Sequence, residues 1–205
     1  MAPAAHQLCN QNSGNVELYT PASIITAARQ CLGGIDLDPA SSETANQVVK
    51  ASRFYDVNEN GLLQPWAGNV WMNHPYGRAE KACVKGCKKK TCRKRKFHRK
   101  TDFPGNAPWV NKLISSYKNG QVKQALCITF MSSSESWFKP LMEYPQCVLF
   151  GRTRFSNPDG SIDGSAPKGC VVTYLGPNLD RFAQCFGTLG EIKISYAQYK
   201  RTVAA

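Results

Sequence analysis

From Tyr19 onward the chain alternates between stretches whose apolar residues recur every three or four positions and stretches where they alternate or run together. These are the patterns of helices and of the strands they cover. Ile24, Ile25, Ala28 and Leu32 share one helical face that Gly33-Gly34 stops, and Thr20 before Pro21 offers an N-cap with proline at the first helical position. Gly34-Ile35-Asp36-Leu37-Asp38 alternates as a strand; Pro39 then opens a helix through Val48 and Val49 to about Ala51, with Asp38 available as its N-cap. Phe54-Tyr55-Asp56 and a turn at residues 58–61 lead through Leu62, Leu63 and Trp66 to the buried-type strand Val70-Trp71-Met72, with Trp66 read as a core residue. Residues 107–118 predict an amphipathic helix with Trp109, Val110, Leu113, Ile114 and Tyr117 inward. Residues 124–130 predict a buried strand closed by a polar turn at Ser132, and residues 136–142 a short helix. Strands follow at 147–150, 152–155 and 170–175, with a hairpin-type turn at 157–160, a helix at 178–186 and a last strand at 191–196. Helices and strands interleave, which predicts an α/β fold with a doubly wound sheet. Residues 1–15 lack periodicity and read as a mobile arm.

At 205 residues the chain suffices for one such domain with a core, residues 16–205, but not for two of full size. No apolar run reaches membrane-spanning length and no secretory leader is visible, so the protein is expected to stay in the cytoplasm where it is made. Charge changes the picture more. Of 26 Lys and Arg, twelve lie within residues 78–101, opposed there only by Glu80, so this stretch carries nearly all of the net charge of +12. A near-neutral body with one dense internal positive block predicts contact with a polyanion, most simply nucleic acid phosphates.

Nine cysteines without a leader argue for reduced thiols. Cys9, Cys31, Cys127, Cys147, Cys170 and Cys185 read as small apolar residues. The other three are grouped: Cys83-x3-Cys87-x4-Cys92-x5-His98 places four metal ligands in sixteen residues, enough for a closed tetrahedral zinc site. The alternative is free thiols in a flexible cationic arm. A segment this charged cannot collapse on an apolar core, so a metal staple would organise the insert at residues 78–106 and offset its repulsion.

Val70-Trp71-Met72 delivers the chain to Asn73-His74-Pro75-Tyr76-Gly77, a loop at a strand's carboxyl end, where open α/β sheets bind ligands. It offers the Asn73 amide oxygen, a His74 carbonyl whose direction Pro75 restricts, and the flat ring of Tyr76. That set suits a planar substrate with an exocyclic amine.

Four segments in order, Leu18-Tyr19-Thr20-Pro21, Ile35-Asp36-Leu37-Asp38-Pro39, Gly61-Leu62-Leu63-Gln64-Pro65-Trp66 and Asn73-His74-Pro75-Tyr76, resemble the phage-type (Dam-like) DNA N6-adenine methyltransferases. The last is similar to the Asn-Pro-Pro-Tyr motif of amino-methyltransferases that use S-adenosylmethionine. The resemblance implies a Rossmann-like sheet, S-adenosylmethionine as cofactor and DNA as partner. It implies that Asn73 and the His74 carbonyl accept from the adenine amine, that Pro75 holds the loop extended, and that Tyr76 stacks on a flipped-out base. It also implies cofactor contacts from Tyr19, Thr20, Pro21, Asp36 or Asp38, Pro39, Ala40, Ser41 and Asn73, although Ala40-Ser41-Ser42 stand where many methyltransferases carry glycines. DNA contacts are expected from Arg78, Lys88, Lys89, Lys90, Arg93, Lys94, Arg95, Lys96, Arg99 and Lys100, and from Arg152 and Arg154, two apart on one face of a strand, unless these last two are ordinary surface arginines.

His74 replaces the usual proline. Its ring is a bystander, a substrate contact or the mark of a weakened enzyme; the bystander reading is preferred, since methyl transfer needs no general base. Two alternatives stand beside the main reading: an amino-methyltransferase for RNA or a protein glutamine, and a nucleic-acid-binding zinc protein with a decayed loop.

Overall fold

The computed structural model describes residues 18–95, 97–157, 161–162 and 166–203; the expected arm at 1–15 with Cys9, Lys96, and most of the turn at 157–160 lie outside the described residues. Strands β1 (Leu37–Asp38), β2 (Arg53–Phe54), β3 (Gly68–Met72), β4 (Val122–Phe130), β5 (Gln146–Leu149), β6 (Cys170–Leu175) and β7 (Gly190–Lys193) form one seven-stranded sheet in the order β2-β1-β3-β4-β6-β5-β7. The half from β2 to β4 is parallel, as a doubly wound sheet requires, but the β4–β6, β6–β5 and β5–β7 pairs are antiparallel. Apolar alternation reports which face a side chain takes and is blind to strand direction, so the expectation failed at that point.

Helices α1 (Ala22–Leu32), α2 (Glu43–Val49), α3 (Lys90–Arg95), α4 (Asn106–Lys118), α5 (Leu179–Phe186) and α6 (Tyr196–Val203) complete the fold among the described residues. Successive strand residues feed opposite layers. Trp71, Leu126, Ile128 and Val172 join Ile25, Ala28, Phe182 and Phe186 of α1 and α5 in one core. Val70, Met72, Ala125 and Cys127 join Trp109, Val110 and Leu113 of α4 in the other, with Trp66. Cys31, Cys127, Cys147 and Cys170 are buried thiols and Cys185 is half-buried. Among the described residues no helix is long and apolar enough to cross a membrane.

Several boundaries differ from expectation for local reasons. Pro21, not Thr20, takes the N-cap position of α1, and the Thr20 hydroxyl is buried without a hydrogen-bond partner. Gly33 ends α1 at φ 74°, donating to the Arg29 carbonyl, a left-handed C-cap that glycine adopts without strain. Helix α2 starts at Glu43, capped by the Ser42 Oγ on the Ala45 N–H at 3.2 Å, so neither Asp38 nor Pro39 starts it; it ends at Val49 because Lys50 turns left-handed. The short helix near 136–142 is a 3₁₀ turn at Lys139–Glu143. Residues 152–155 make no ladder, although Arg152 and Arg154 are exposed while Thr153 and Phe155 are buried. The last strand stops at Lys193 and helix α6 follows, where a continuing strand was expected.

The insert leaves the body through a two-residue antiparallel bridge in which Glu80 and Phe103 exchange backbone hydrogen bonds of 2.9 and 2.8 Å. Gly105 closes that base at φ 75°; a Cβ there would meet the Ala79 nitrogen at 2.6 Å.

Candidate active site

Strands β1, β3 and β4 are parallel neighbours, so the loops after Asp38, Met72 and Phe130 open on one edge of the sheet. Phe130 pairs with Cys170 and Val148 with Val171, which brings the start of β6 and the chain after β5 to the same edge. The segments singled out in the sequence therefore meet. The Leu18 carbonyl accepts from Asn73 Nδ2 at 2.7 Å, the Tyr19 and Ser42 hydroxyls lie 2.8 Å apart, and Tyr19 bridges Ser156 backbone to backbone.

Asn73 has a fixed orientation. Because Nδ2 donates to Leu18, Oδ1 must face the other way, toward the Tyr76 hydroxyl at 2.8 Å. That phenol also reaches the Ile128 carbonyl at 2.9 Å, and its one proton cannot serve both acceptors fully. Burial raises the Tyr76 pKa well above 10, so the phenol keeps its proton. Asn73 Oδ1 thus retains acceptor capacity for an incoming N–H. The Tyr76 ring is half-buried, packed on Phe130 with centroids 4.5 Å apart, and edge-on to His74 at 5.3 Å and Phe155 at 6.4 Å.

His74 is 1% exposed. Its Nε2 lies 3.1 Å from Asn106 Oδ1, an oxygen that also accepts from the Gly77 N–H at 3.3 Å. The network therefore assigns the proton to Nε2 and leaves Nδ1 a buried acceptor without a hydrogen-bond partner. Desolvation pushes the pKa down to about 4, so the ring is neutral at neutral pH. It stacks on Trp109 at 6.3 Å, tying the loop to the first turn of α4. Pro75 is half-buried beside it.

Asp38 and Asp36 part company. Asp38 is 3% exposed at the carboxyl end of β1; burial pushes its pKa up to about 7, opposed by a hydrogen bond from the Ala40 N–H at 3.2 Å. Asp36 accepts from the Asn69 N–H at 2.7 Å, beside the start of β3. Four strand residues, roughly 13 Å, separate Asn69 from Asn73, so Asp36 braces the opposite end of the sheet. A cavity of about 320 Å³ lies beside Tyr19, Thr20 and Pro21, against Thr44, Ala45 and Val48 of α2. Pro39, Ala40 and Ser41 form the bend that joins β1 to α2.

In the insert, the ligand atoms of Cys83, Cys87, Cys92 and His98 all lie within 4.8 Å of one another. The Sγ separations from Cys92 are 3.4 Å to Cys83 and 3.8 Å to Cys87, far beyond a disulfide bond. Thiolates bound to zinc at about 2.3 Å in a tetrahedron sit about 3.8 Å apart, so this donor set fits that ion. The His98 side chain, with Cys92 and the Arg99 backbone adding in the same sense, pulls the Cys83 thiol down to about 6. Around the cluster Lys88, Lys89, Lys90, Arg93 and Lys100 are exposed, as is Arg78 at the insert's base. Arg99 is differently employed: it pairs with Glu80 at 3.1 Å and covers the Phe103 ring at 4.2 Å. The side chains of Lys94 and Arg95 lie outside the described residues.

Sequence reasoning missed Asn106, which holds His74 and the Gly77 N–H, and the aromatic wall of Phe130 and Phe155 around Tyr76. Asn106 fell at the end of the basic insert, just before the predicted helix, and nothing local connects it to residues thirty positions earlier.

Comparison with known protein families matches residues 15–178 to Dam, DNA N-6-adenine-methyltransferase. The chain belongs to the Dam family. The Dam match takes in the Asn73 loop, the β1 turn, the whole insert and Arg152 and Arg154, and it ends at Asn178, the N-cap of α5. Dam is a transferase family that methylates adenine in DNA. Neither the curated proteins nor the solved structures gave a match.

Proposed function

We propose that this Dam-family chain transfers the methyl of S-adenosylmethionine to N6 of an adenine flipped out of DNA, on a Rossmann-like methyltransferase sheet. The observation that carries this reading is the fixed direction of Asn73 Oδ1 beside the His74 carbonyl, on the edge where the β1 turn also opens.

The adenine amine is a poor nucleophile because its lone pair is delocalised into the ring. Two acceptors drawing on its hydrogens, Asn73 Oδ1 and the His74 carbonyl, favour a pyramidal nitrogen and hold it in place. A neutral amide does this without burying a second charge. Tyr76 serves in two ways: its hydroxyl sets Asn73, and its half-buried ring offers an edge of the wall on which the base stacks. The His74 side chain takes no proton and acts through packing and its bond to Asn106.

S-adenosylmethionine, when bound, supplies an electrophilic methyl on a sulfonium. Asp38, Tyr19, Thr20, Pro21, Pro39, Ala40 and Ser41 would hold it, and two observations support the fit: the buried Asp38 carboxyl and the unpartnered Thr20 hydroxyl. Zinc, held by Cys83, Cys87, Cys92 and His98, would fill all four of its positions with protein ligands, so its contribution is structural. It would fix the exposed cations as a grip on DNA phosphates.

Asn73→Ala is expected to abolish labelled methyl transfer to adenine while cofactor binding by calorimetry survives; retained turnover would overturn the assignment. Purified chain is expected to hold one zinc per molecule by elemental analysis and the Cys87→Ser chain to hold none. Metal-free parent protein would refute the staple.

A further inference from the structure

On the edge that carries the Asn73 loop, a second cavity of about 310 Å³ opens between the turn after β4 and the chain entering β6. Its two sides are tied by the Met131 N–H donating to the Gly169 carbonyl at 2.8 Å. Arg152 and Lys168 line it with Ser133, Ser134 and one carboxylate, Glu135. Among the described residues, none of the three charged groups forms an ion pair. The cavity adjoins the candidate catalytic loop through two rings: Tyr76 packs on Phe130, next to Met131, at 4.5 Å, and on Phe155, three residues past Arg152, at 6.4 Å.

Resting on the reading above, we propose that this cavity seats the phosphodiester beside the flipped adenine, with Arg152 and Lys168 as cationic contacts and the Ser133 and Ser134 hydroxyls as donors. Cations not neutralised by protein carboxylates and hydroxyl donors together complement phosphate oxygens. An extruded nucleotide needs its backbone held on both flanks. The basic insert leaves the loop just after Tyr76, while this cavity meets the loop through β4, so the two bracket the target from different elements. Glu135 decides between a phosphate and a base edge. Beside a phosphate its charge is repulsive, whereas a base-reading pocket would use it as an acceptor for an exocyclic amine.

The test is duplex DNA binding by the full chain across a salt series. The double variant R152A/K168A is expected to reduce the magnitude of the slope of log affinity against log salt by about 1, the value for the one phosphate that the variant no longer neutralises. Glu135→Gln, an exposed substitution, is expected to bind several-fold tighter. An unchanged slope in the double variant, or weaker binding by Glu135→Gln, would overturn the proposal. Methyl incorporation by the parent chain on the same DNA separates the two readings. Transfer with unchanged slopes sinks the phosphate seat alone, and shifted slopes without transfer sink the catalytic reading and leave a phosphate seat.

Discussion

His74 and Asp38 are buried on the same edge of the sheet, and burial moves them in opposite senses, to about 4 from 6.5 and to about 7 from 3.8. Between about pH 4 and 6.5 the unfolded chain binds more protons at His74 than the folded one, so that group makes stability rise with pH. Over the same window the folded chain keeps the Asp38 proton that the unfolded chain loses, so that group makes stability fall with pH. Each effect is worth at most about 1.4 kcal/mol per pH unit, and in the parent they nearly cancel. Denaturant unfolding across this range is therefore expected to show opposite changes of slope: Asp38→Asn leaves stability climbing with pH relative to the parent, and His74→Gln leaves it declining. Parallel curves would remove the burial argument for both. A half-protonated Asp38 also predicts that affinity for a ligand offering hydroxyl or cationic donors rises as pH passes through 7. Nothing local in the sequence announced these shifts. The types and order of Asn73, His74 and Pro75 were legible, but a histidine in a loop reads as exposed until α4 is laid over it.

At the level of elements, α4 shows how far a periodic pattern reaches. Its inward residues were readable from spacing alone, and Trp109, Val110, Leu113 and Ile114 are buried as that spacing requires. Lys112, on the same helix, carries no such signal. Its ammonium donates to the Leu62 carbonyl at 2.7 Å, to Gly61 and Gln64 as well, and lies 5.3 Å from the Trp66 ring. It thereby closes the turn that resemblance singled out and locks it to the helix. Lys112→Met is expected to cost about 1–2 kcal/mol, because charged hydrogen bonds to three carbonyls disappear while the aliphatic stem is kept. The shift of the urea midpoint at constant m-value measures this. Caps were read less well than faces: Thr20 and Asp38 both looked like N-caps, yet Pro21 and Ser42 hold those places. Side chains with capping chemistry also bind strands and ligands, and only the path of the backbone decides which they do.

At the scale of the whole molecule, the near-neutral body and the dense positive insert are separate in sequence and joined in space by the Glu80–Phe103 bridge. If zinc organises that insert, chelation is expected to weaken DNA binding and its salt dependence while leaving cofactor affinity unchanged, since no cluster ligand lies at the β1 turn. Loss of both together would mean that the insert supports the body. Much of this protein was written in the chain: the helical and strand faces, the grouping of three cysteines and a histidine, the charge block, and the loop that follows Met72. These are short-range facts of periodicity, spacing and turn chemistry, and short-range facts survive without a fold. Tertiary structure alone decided that β6 runs against β4, that Asp38 and not Asp36 reaches the loop edge, that Asn106 assigns the His74 proton, and that Leu18 orients Asn73. Each of these depends on contacts between residues far apart in sequence. Strand direction and the burial of a polar group are settled by what packs on them, not by their neighbours in the chain.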